Sequence, residues 1–331
     1  MSERIIQILI DQQFSQAIEK AAKRFSITDF WQEKSEDERI IHSFLVNAEE
    51  SQSLINMFQG LIDKSENSRI IILPVEASLP QKAPSKVEND KRKNLKSTGG
   101  ISREELYEDI NSACKLDKNF FLMVVFSTIV AAVGLLENNV AVLVGAMVIA
   151  PFLGPNLALA FSTTLGDIAL IKQSLKVNIS GLLLTLSISC LTGYLWTEGL
   201  DGHELISRTS SNYSTALLAL ASGAAGVLAL TSGSGITLVG VMVAVALLPP
   251  ATTMGIMLGA GEYHLAYGAA LLLAVNIVCL NFSAKIVFIF KGFYPQKYYD
   301  KERASKARII SLTVWLILFS ILMTIIYLQH S

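Results

Sequence analysis

Four prolines lie within two strongly apolar parts of this 331-residue sequence. Pro151 and Pro155 lie in one apolar stretch, and Pro249 and Pro250 lie in another. A proline inside a helix removes an amide donor and clashes with the preceding turn. In hydrocarbon, the freed carbonyl needs another helix, a water-filled cavity or a ligand. We therefore predict a substrate or ion site made from half-helix ends, and a packed helix kink is the alternative.

Small and polar residues lie beside these prolines. They are Gly154 and Asn156 in the first stretch, and Thr252 and Thr253 in the second. Asn178 and Asn276 are two further amides within apolar sequence, and we predict that they lie near the breaks. For Asn281, an amide that joins neighbouring helices is the safer interpretation. Lys285 is expected to extend its ammonium group toward the membrane surface.

Three carboxylates fall at the ends of apolar stretches, namely Glu137, Asp167 and Glu262. A solvated carboxylate is ordinary at such a position, and a gating or proton-linked role is the alternative.

The usual signatures of catalysis are absent from the sequence. It has no H-E-x-x-H pair, no G-x-S-x-G elbow and no phosphate-binding G-x-x-x-x-G-K-[ST] run. The histidines are scattered, and three cysteines build neither a disulfide framework nor a metal site. We predict that the chain is not an enzyme and needs no cofactor.

The distribution of charge divides the chain. Of its 55 Asp, Glu, Lys and Arg residues, 37 lie in 1–118, 10 in 119–290 and 8 in 291–331. The net charge of −1 argues against a nucleic-acid partner. With 51% hydrophobic residues and a mean hydropathy of +0.46, a lipid bilayer is the expected partner.

Seven apolar stretches are long enough, or nearly so, to cross a bilayer as helices. They cover residues 120–136, 140–165, 177–196, 215–230, 236–258, 265–290 and 309–328. Lysine and arginine in the short loops favour a cytoplasmic N-terminus and an external C-terminus. Residues 291–331 then hold a basic cytoplasmic loop and the seventh span.

The first 78 residues read as a small α/β domain. Strand and helix periods alternate in the order βαββαβ, the ferredoxin-like pattern. Such a unit can bind an effector, mediate oligomerisation or act as a stabilising cap. Residues 79–118 read as a basic linker and an amphipathic helix that leads toward the membrane. The linker's lysines could attract anionic headgroups, and a solvated tether is the alternative.

An internal duplication organises the six spans of residues 119–290. VGAMVIAPFLGP at 144–155 and VGVMVAVALLPP at 239–250 match at an offset of 95 residues, and Gly166-Asp167 matches Gly261-Glu262 at the same offset. With a slip of three residues, Asn178 meets Asn276. Each copy, at about 120–196 and 215–290, holds three spans, so the two copies cross the bilayer in opposite senses. Inverted repeats of this kind are common among secondary transporters.

The stretch VGAMVIAPFLGPNLALAFSTTLGD resembles the signature of the bacterial and archaeal family called domain of unknown function 389. Its G-A-M, A-P, G-P and G-D elements carry the resemblance, which covers roughly residues 120–290. The second copy departs from the signature, because Ala246 stands where the first has Pro151. The resemblance implies a prokaryotic inner-membrane protein with a cytoplasmic N-terminal domain, and it implies no substrate.

The leading functional prediction is a secondary transporter or channel for a small solute or ion, tuned by the N-terminal domain. A membrane-anchored sensor or assembly scaffold is the alternative. Gly-rich membrane faces and the ferredoxin-like pattern make a homo-oligomer the expected state.

Overall fold

The computed structural model describes residues 3–24, 29–34, 39–47, 51, 54–58, 68–75, 103–196, 198–232, 236–293 and 301–330. These residues form two compact units, Met1–Leu106 and Tyr107–Ser331. The part of the predicted linker at 79–102 and the part of the predicted basic loop at 294–300 lie outside the described residues.

The N-terminal unit contains one antiparallel sheet. Its strands are β1 (Glu3–Asp11), β2 (Phe30–Lys34), β3 (Arg39–Asn47) and β4 (Arg69–Pro74), in the order β2-β3-β1-β4, and helix α1 spans Gln12–Arg24. Alternate residues of β1, including Ile6, Ile8 and Ile10, are buried, as the two-residue period of a strand requires. They pack with Phe44 and Phe58 in one core. The four predicted strands and the first predicted helix are present, and residues 51 and 54–58 of the second predicted helix are helical.

His42 is a buried titratable side chain in this sheet. Its Nε2 and Ser15 Oγ form a hydrogen bond of 3.0 Å. Burial lowers the pKa of His42 below its usual value, although the nearby charge of Glu19 opposes the shift. The folded unit therefore takes up a proton less readily than the unfolded chain.

We predict that this unit loses stability as the pH falls from about 7 to about 5, because the unfolded His42, with a pKa near 6.5, is protonated first. Hydrogen exchange of the β1 and β3 amides in the full-length protein, corrected for intrinsic rates, measures the effect. The His42→Asn variant should show a smaller pH dependence. If the wild-type protein and the His42→Asn variant show the same pH dependence of stability, a titratable group other than His42 causes it.

The second unit is helical. Helix α2 (Arg103–Ser112) begins in the first unit and ends in the second. The second unit also contains α3 (Lys118–Leu136), α4 (Val140–Ile149), α5 (Leu153–Leu165), α6 (Ile168–Leu195), α7 (His203–Ile206), α8 (Tyr213–Thr231), α9 (Ile236–Gly259), α10 (Tyr263–Phe290) and α11 (Lys301–His330). Within the described residues, α3, α6, α8 and α10 are long and apolar enough to cross a membrane, and α4 with α5 would form a fifth, bent span. The count of seven spans stays a prediction, because Ala246–Gly259 and Leu312–Leu328 are shorter apolar segments.

Helix boundaries repeat along the sequence. Helices α3 and α8 have 19 residues each and begin at positions 118 and 213, whereas α6 and α10 have 28 residues each and begin at 168 and 263. Both pairs are 95 residues apart. Gly166 and Gly261, each with a positive φ, precede α6 and α10 and are followed by an acidic N-cap residue. Helices of equal length therefore recur at the same 95-residue offset as the sequence match.

This spacing corrects the predicted equivalence of Asn178 and Asn276. An unbroken offset of 95 pairs Asn178 with Leu273 and Asn276 with Gly181, so no three-residue slip is needed between α6 and α10. An added Cβ at Gly181 would lie 3.1 Å from the rings of both Phe120 and Phe152, which leaves little room for an asparagine there. By the spacing of the helix boundaries, the two asparagines occupy different positions along α6 and α10.

Candidate functional site

The predicted interruption at Pro151 is present. Helix α4 ends at Ile149, α5 begins at Leu153, and the two axes differ by 55°. Ala150 adopts φ −65° and ψ 124°, because a residue before proline is driven out of the helical region. Pro151 also lacks the amide that would continue the helix. The bend between α4 and α5 therefore follows from the local sequence.

Pro155 and Gly154, which were singled out beside this break, have structural roles. Pro155 lies in the first turn of α5, where amides have no partner within the helix, so it starts the helix rather than breaking it. A Cβ at Gly154 would lie 2.7 Å from the carbonyl oxygen of Ala113, in the turn after α2. Glycine is needed there because another backbone approaches so closely.

Two buried amides and one half-buried amide meet beside this break. Asn156 Nδ2 donates to the carbonyl oxygen of Phe152 and to Asn178 Oδ1, each at 2.9 Å. Asn281 Nδ2 donates to Asn156 Oδ1 at 3.4 Å and to the carbonyl oxygen of Ile277 at 2.9 Å. The asparagine triad, Asn156, Asn178 and Asn281, thus joins α5, α6 and α10. Within the described residues, Asn178 Nδ2 and Asn281 Oδ1 are buried without a hydrogen-bond partner.

The second predicted interruption is absent. Helix α9 continues through Pro249 and Pro250 to Gly259. The amide missing at Pro250 would have bonded the carbonyl oxygen of Ala246, four residues earlier. Asn276 Nδ2 of α10 donates to that oxygen instead, at 2.7 Å. A neighbouring helix therefore satisfies the carbonyl, and the helix stays continuous.

Thr252 and Thr253 follow these prolines. Both are fully buried, and their hydroxyls have no partner within the described residues. Other buried threonines in the apolar helices, such as Thr164 and Thr231, donate to the carbonyl four residues earlier. Asn276 Oδ1 is likewise buried without a described partner. These three oxygens, on α9 and α10, are the second set of buried polar atoms that lack a hydrogen-bond partner among the described residues.

We predict that Asn276→Leu lowers the free energy of unfolding by about 1–2 kcal/mol, because the carbonyl of Ala246 loses its donor. Combining it with Pro250→Ala tests the cause, since alanine restores an amide to that carbonyl. The loss caused by Asn276→Leu should be smaller in the Pro250→Ala background. Thermal unfolding of the four proteins in detergent completes the cycle, and additive losses would contradict the assigned bond.

The three carboxylates do not join the triad. Asp167 Oδ1 accepts from the amides of Ala169 and Leu170 at the start of α6, and its Oδ2 accepts from the Tyr107 hydroxyl at 2.9 Å. Burial, then this hydrogen bond, raises the pKa of Tyr107. Glu137 and Glu262 are exposed at helix ends. Their gating role stays a prediction.

Lys285 is fully buried, so the expectation that it reaches the membrane surface is wrong. Its Nζ donates to the carbonyl oxygen of Thr163 at 3.1 Å. Thr163 lies in the last turn of α5, where carbonyls lack helical partners and the helix dipole favours a cation. Lys285 is one turn from Asn281 on α10, so it extends the triad along the contact between α5 and α10.

A surface hollow lies between the turn after α2 and the first part of α6. It is lined by Cys114, Lys115, Leu116, Asp117, Gln173, Lys176 and Val177. Gln173 Nε2 donates to the carbonyl oxygen of Cys114 at 2.9 Å and ties the turn after α2 to α6. Burial raises the pKa of the Cys114 thiol to about 11. Within the described residues, no group of three His, Cys, Asp or Glu side chains is placed to hold a metal ion.

Apolar helices of this number and length indicate a helical membrane protein with several spans. The chain belongs to the family called domain of unknown function (DUF389), whose sequence profile matches residues 147–282. An uncharacterized protein of Methanocaldococcus jannaschii is 32% identical over 284 residues, which are 86% of this chain and 86% of that protein. No solved structure is significantly similar to the chain. The resemblance identified in the sequence is therefore confirmed.

Proposed function

We propose that this protein is a secondary transporter or channel for a small solute or ion. The observation that carries the proposal is a set of buried polar atoms in apolar helices that have no hydrogen-bond partner in the part of the chain that the structure describes. They are Asn178 Nδ2, Thr252 Oγ1, Thr253 Oγ1, Asn276 Oδ1 and Asn281 Oδ1. Each such atom costs free energy in an apolar environment unless something polar reaches it. A passing solute or its water supplies those hydrogen bonds.

The two groups of atoms have different surroundings. At the triad, Asn156 holds the other two amides in place, so a solute would meet positioned groups beside the bend between α4 and α5. On α9, Thr253 follows Ala246 by two helical turns and lies on the same face, toward Asn276. Helix α9 is continuous, so these polar atoms, rather than a second helix break, are what a solute would meet in that half of the bundle.

The membrane arrangement is part of the proposal. The 95-residue spacing of helix boundaries supports two inverted three-helix repeats followed by a seventh span. Loop charges support a cytoplasmic N-terminus and an external C-terminus. Membership of the family supports a prokaryotic cytoplasmic membrane. The sheet order β2-β3-β1-β4 supports a ferredoxin-like regulatory domain. We also propose that the protein forms a homo-oligomer. We propose that it is not an enzyme, because the sequence carries no catalytic motif.

Flux measurements test the function. Purified full-length protein in liposomes should pass at least one of a panel of small anions, cations and neutral polar solutes faster than protein-free liposomes. The variant Thr252→Val with Thr253→Val should pass it more slowly, because the unpartnered hydroxyls are gone. Absence of flux for every solute under concentration and electrical gradients would contradict transport.

Cysteine labelling tests the inverted arrangement. Lys172 and Tyr267 are exposed and 95 residues apart, so they occupy equivalent positions of the two proposed repeats. Cys114 and Cys279 are buried, and only the half-buried Cys190 needs replacement by alanine as a background. In intact spheroplasts, an impermeant maleimide should label Tyr267→Cys and leave Lys172→Cys unlabelled. Labelling of both from outside would contradict inversion.

A membrane-anchored sensor or scaffold is the second candidate. The observation in its favour is that Met1–Leu106 forms a compact unit with its own core. A ligand-dependent rise in protection from hydrogen exchange confined to that unit, without flux, would favour it over transport.

A further inference from the structure

We propose that the transported solute is a small neutral molecule that carries both a hydrogen-bond donor and an acceptor, as polyols and amides do. The inference rests on the proposed transport function and names its substrate class. The triad is the observation behind it, because Asn156 binds one half of each of the other two side-chain amides. A donor on Asn178 and an acceptor on Asn281 are left without a partner among the described residues.

Backbone carbonyls fix the orientation of these side-chain amides. The carbonyl oxygen of Phe152 only accepts, so the Asn156 atom that bonds it is Nδ2. The second hydrogen of this Nδ2 goes to Asn178 Oδ1, which leaves Asn178 Nδ2 as the remaining donor. Asn281 Nδ2 likewise gives one hydrogen to the carbonyl of Ile277 and the other to Asn156 Oδ1. Asn281 Oδ1 is therefore the remaining acceptor.

A solute with both functions satisfies both of these atoms. The oxygen of a hydroxyl or amide group accepts from Asn178 Nδ2, and its hydrogen is donated to Asn281 Oδ1. A chloride ion has no hydrogen to donate, so it would bond Asn178 Nδ2 alone. A metal cation would bind Asn281 Oδ1 alone. Each ion would leave one buried polar atom unsatisfied, which costs free energy.

The second set of polar atoms has the same neutral character. Asn276 Nδ2 donates to the carbonyl oxygen of Ala246, so its Oδ1 is the acceptor that lacks a described partner. The hydroxyls of Thr252 and Thr253 donate as well as accept. Asn276 and Asn281 are five residues apart on α10, which is about 7.5 Å along the helix axis. A solute would therefore meet neutral donors and acceptors at two depths.

The charges of the apolar helices favour a neutral solute as well. Helices α3, α4, α5, α6, α8, α9 and α10 contain no Asp or Glu, so a cation that loses its water there meets no carboxylate of these helices. The backbone carbonyl that Pro250 frees already accepts from Asn276. The ammonium group of Lys285 donates to the carbonyl oxygen of Thr163 at 3.1 Å, so it is bound to the protein. A neutral solute needs no opposite charge.

Solute selectivity of the wild-type protein is the primary test, because it needs no variant. Uptake of radiolabelled glycerol, mannitol and urea into proteoliposomes is compared with uptake of chloride, nitrate and sodium, while valinomycin and equal potassium on both sides hold the membrane potential at zero. Relative to protein-free liposomes, uptake of the best neutral solute should rise at least about tenfold more than uptake of any ion. A smaller preference, or a preference for an ion, would overturn the neutral-solute proposal and leave transport standing. No uptake of any solute would overturn both.

Two variants test the donor of the triad. Asn178→Leu removes it and keeps the bond between Asn156 and Asn281, so uptake of the best neutral solute should fall about tenfold. Thr231→Val is the matched control, because the buried hydroxyl that it removes already donates to the carbonyl of Val227. It should leave uptake unchanged. Unchanged uptake in Asn178→Leu, or an equal loss in both variants, would contradict a contact between Asn178 and the solute. If Asn178→Leu fails to fold, the selectivity of the wild-type protein decides the proposal.

Discussion

The variant Asn156→Leu is expected to lose most of its solute flux, by about tenfold or more, and about 1–3 kcal/mol of stability. Asn156 Nδ2 bonds two acceptors, and its Oδ1 accepts from Asn281. Leucine has a similar size but offers no polar atom. Asn178 and Asn281 would then lose their common partner, and the polar path beside the bend would become apolar.

A matched control separates flux from general damage to the bundle. Thr128 Oγ1 donates to Thr185 Oγ1 at 3.2 Å, in a fully buried contact between α3 and α6. Thr185→Val removes that interhelical hydrogen bond without touching the triad. It should lower the unfolding temperature in detergent modestly and keep the flux. A comparable loss of flux in Asn156→Leu and Thr185→Val would show that any buried hydrogen bond between helices is equally important. That result would contradict a special role for the triad.

The second large effect is expected at Gly193. A Cβ there would lie 2.7 Å from the carbonyl carbon of Ile256 and 2.8 Å from its Cα, in the contact between α6 and α9. Backbone atoms cannot rotate away, so Gly193→Ala must push the two helices apart. Overpacking of this kind costs about 1–3 kcal/mol. We expect a clear fall in the unfolding temperature of the purified protein.

Gly145 provides the matched control. It lies inside α4, and an added Cβ would meet no atom within 4 Å. Gly145→Ala makes the same chemical change without a clash, and the better helix propensity of alanine should leave stability unchanged or raise it by up to about 1 kcal/mol. Similar destabilisation by both substitutions would mean that the approach of α6 to α9 is not as close as described.

The contact at Gly193 follows from a pattern of small residues. Gly255 and Gly259 of α9 have the G-x-x-x-G spacing, which lets helices in a membrane approach closely. Their Cβ positions would meet Ser189 and Cys190 of α6. The G-x-x-x-G spacing is visible in the sequence, but the sequence analysis did not identify it. The sequence alone does not indicate which helix packs against these glycines.

Local properties of the sequence determined the elements of the fold. Apolar length predicted the helices, two-residue alternation predicted the strands, and Pro151 predicted the bend, because each depends on residues that are adjacent or one turn apart. The offset of 95 residues also anticipated the helix boundaries, since a glycine with a positive φ and an acidic N-cap residue precede both α6 and α10.

Only the tertiary structure decided which polar groups meet. Asn156 and Asn281 are 125 residues apart, Lys285 and Thr163 are 122 apart, and Asn276 and Ala246 are 30 apart. The last contact keeps α9 continuous where two prolines predicted a break. Hydrophobic length and period are properties of one segment, whereas a hydrogen bond between helices depends on which faces pack together, and packing involves the whole bundle at once.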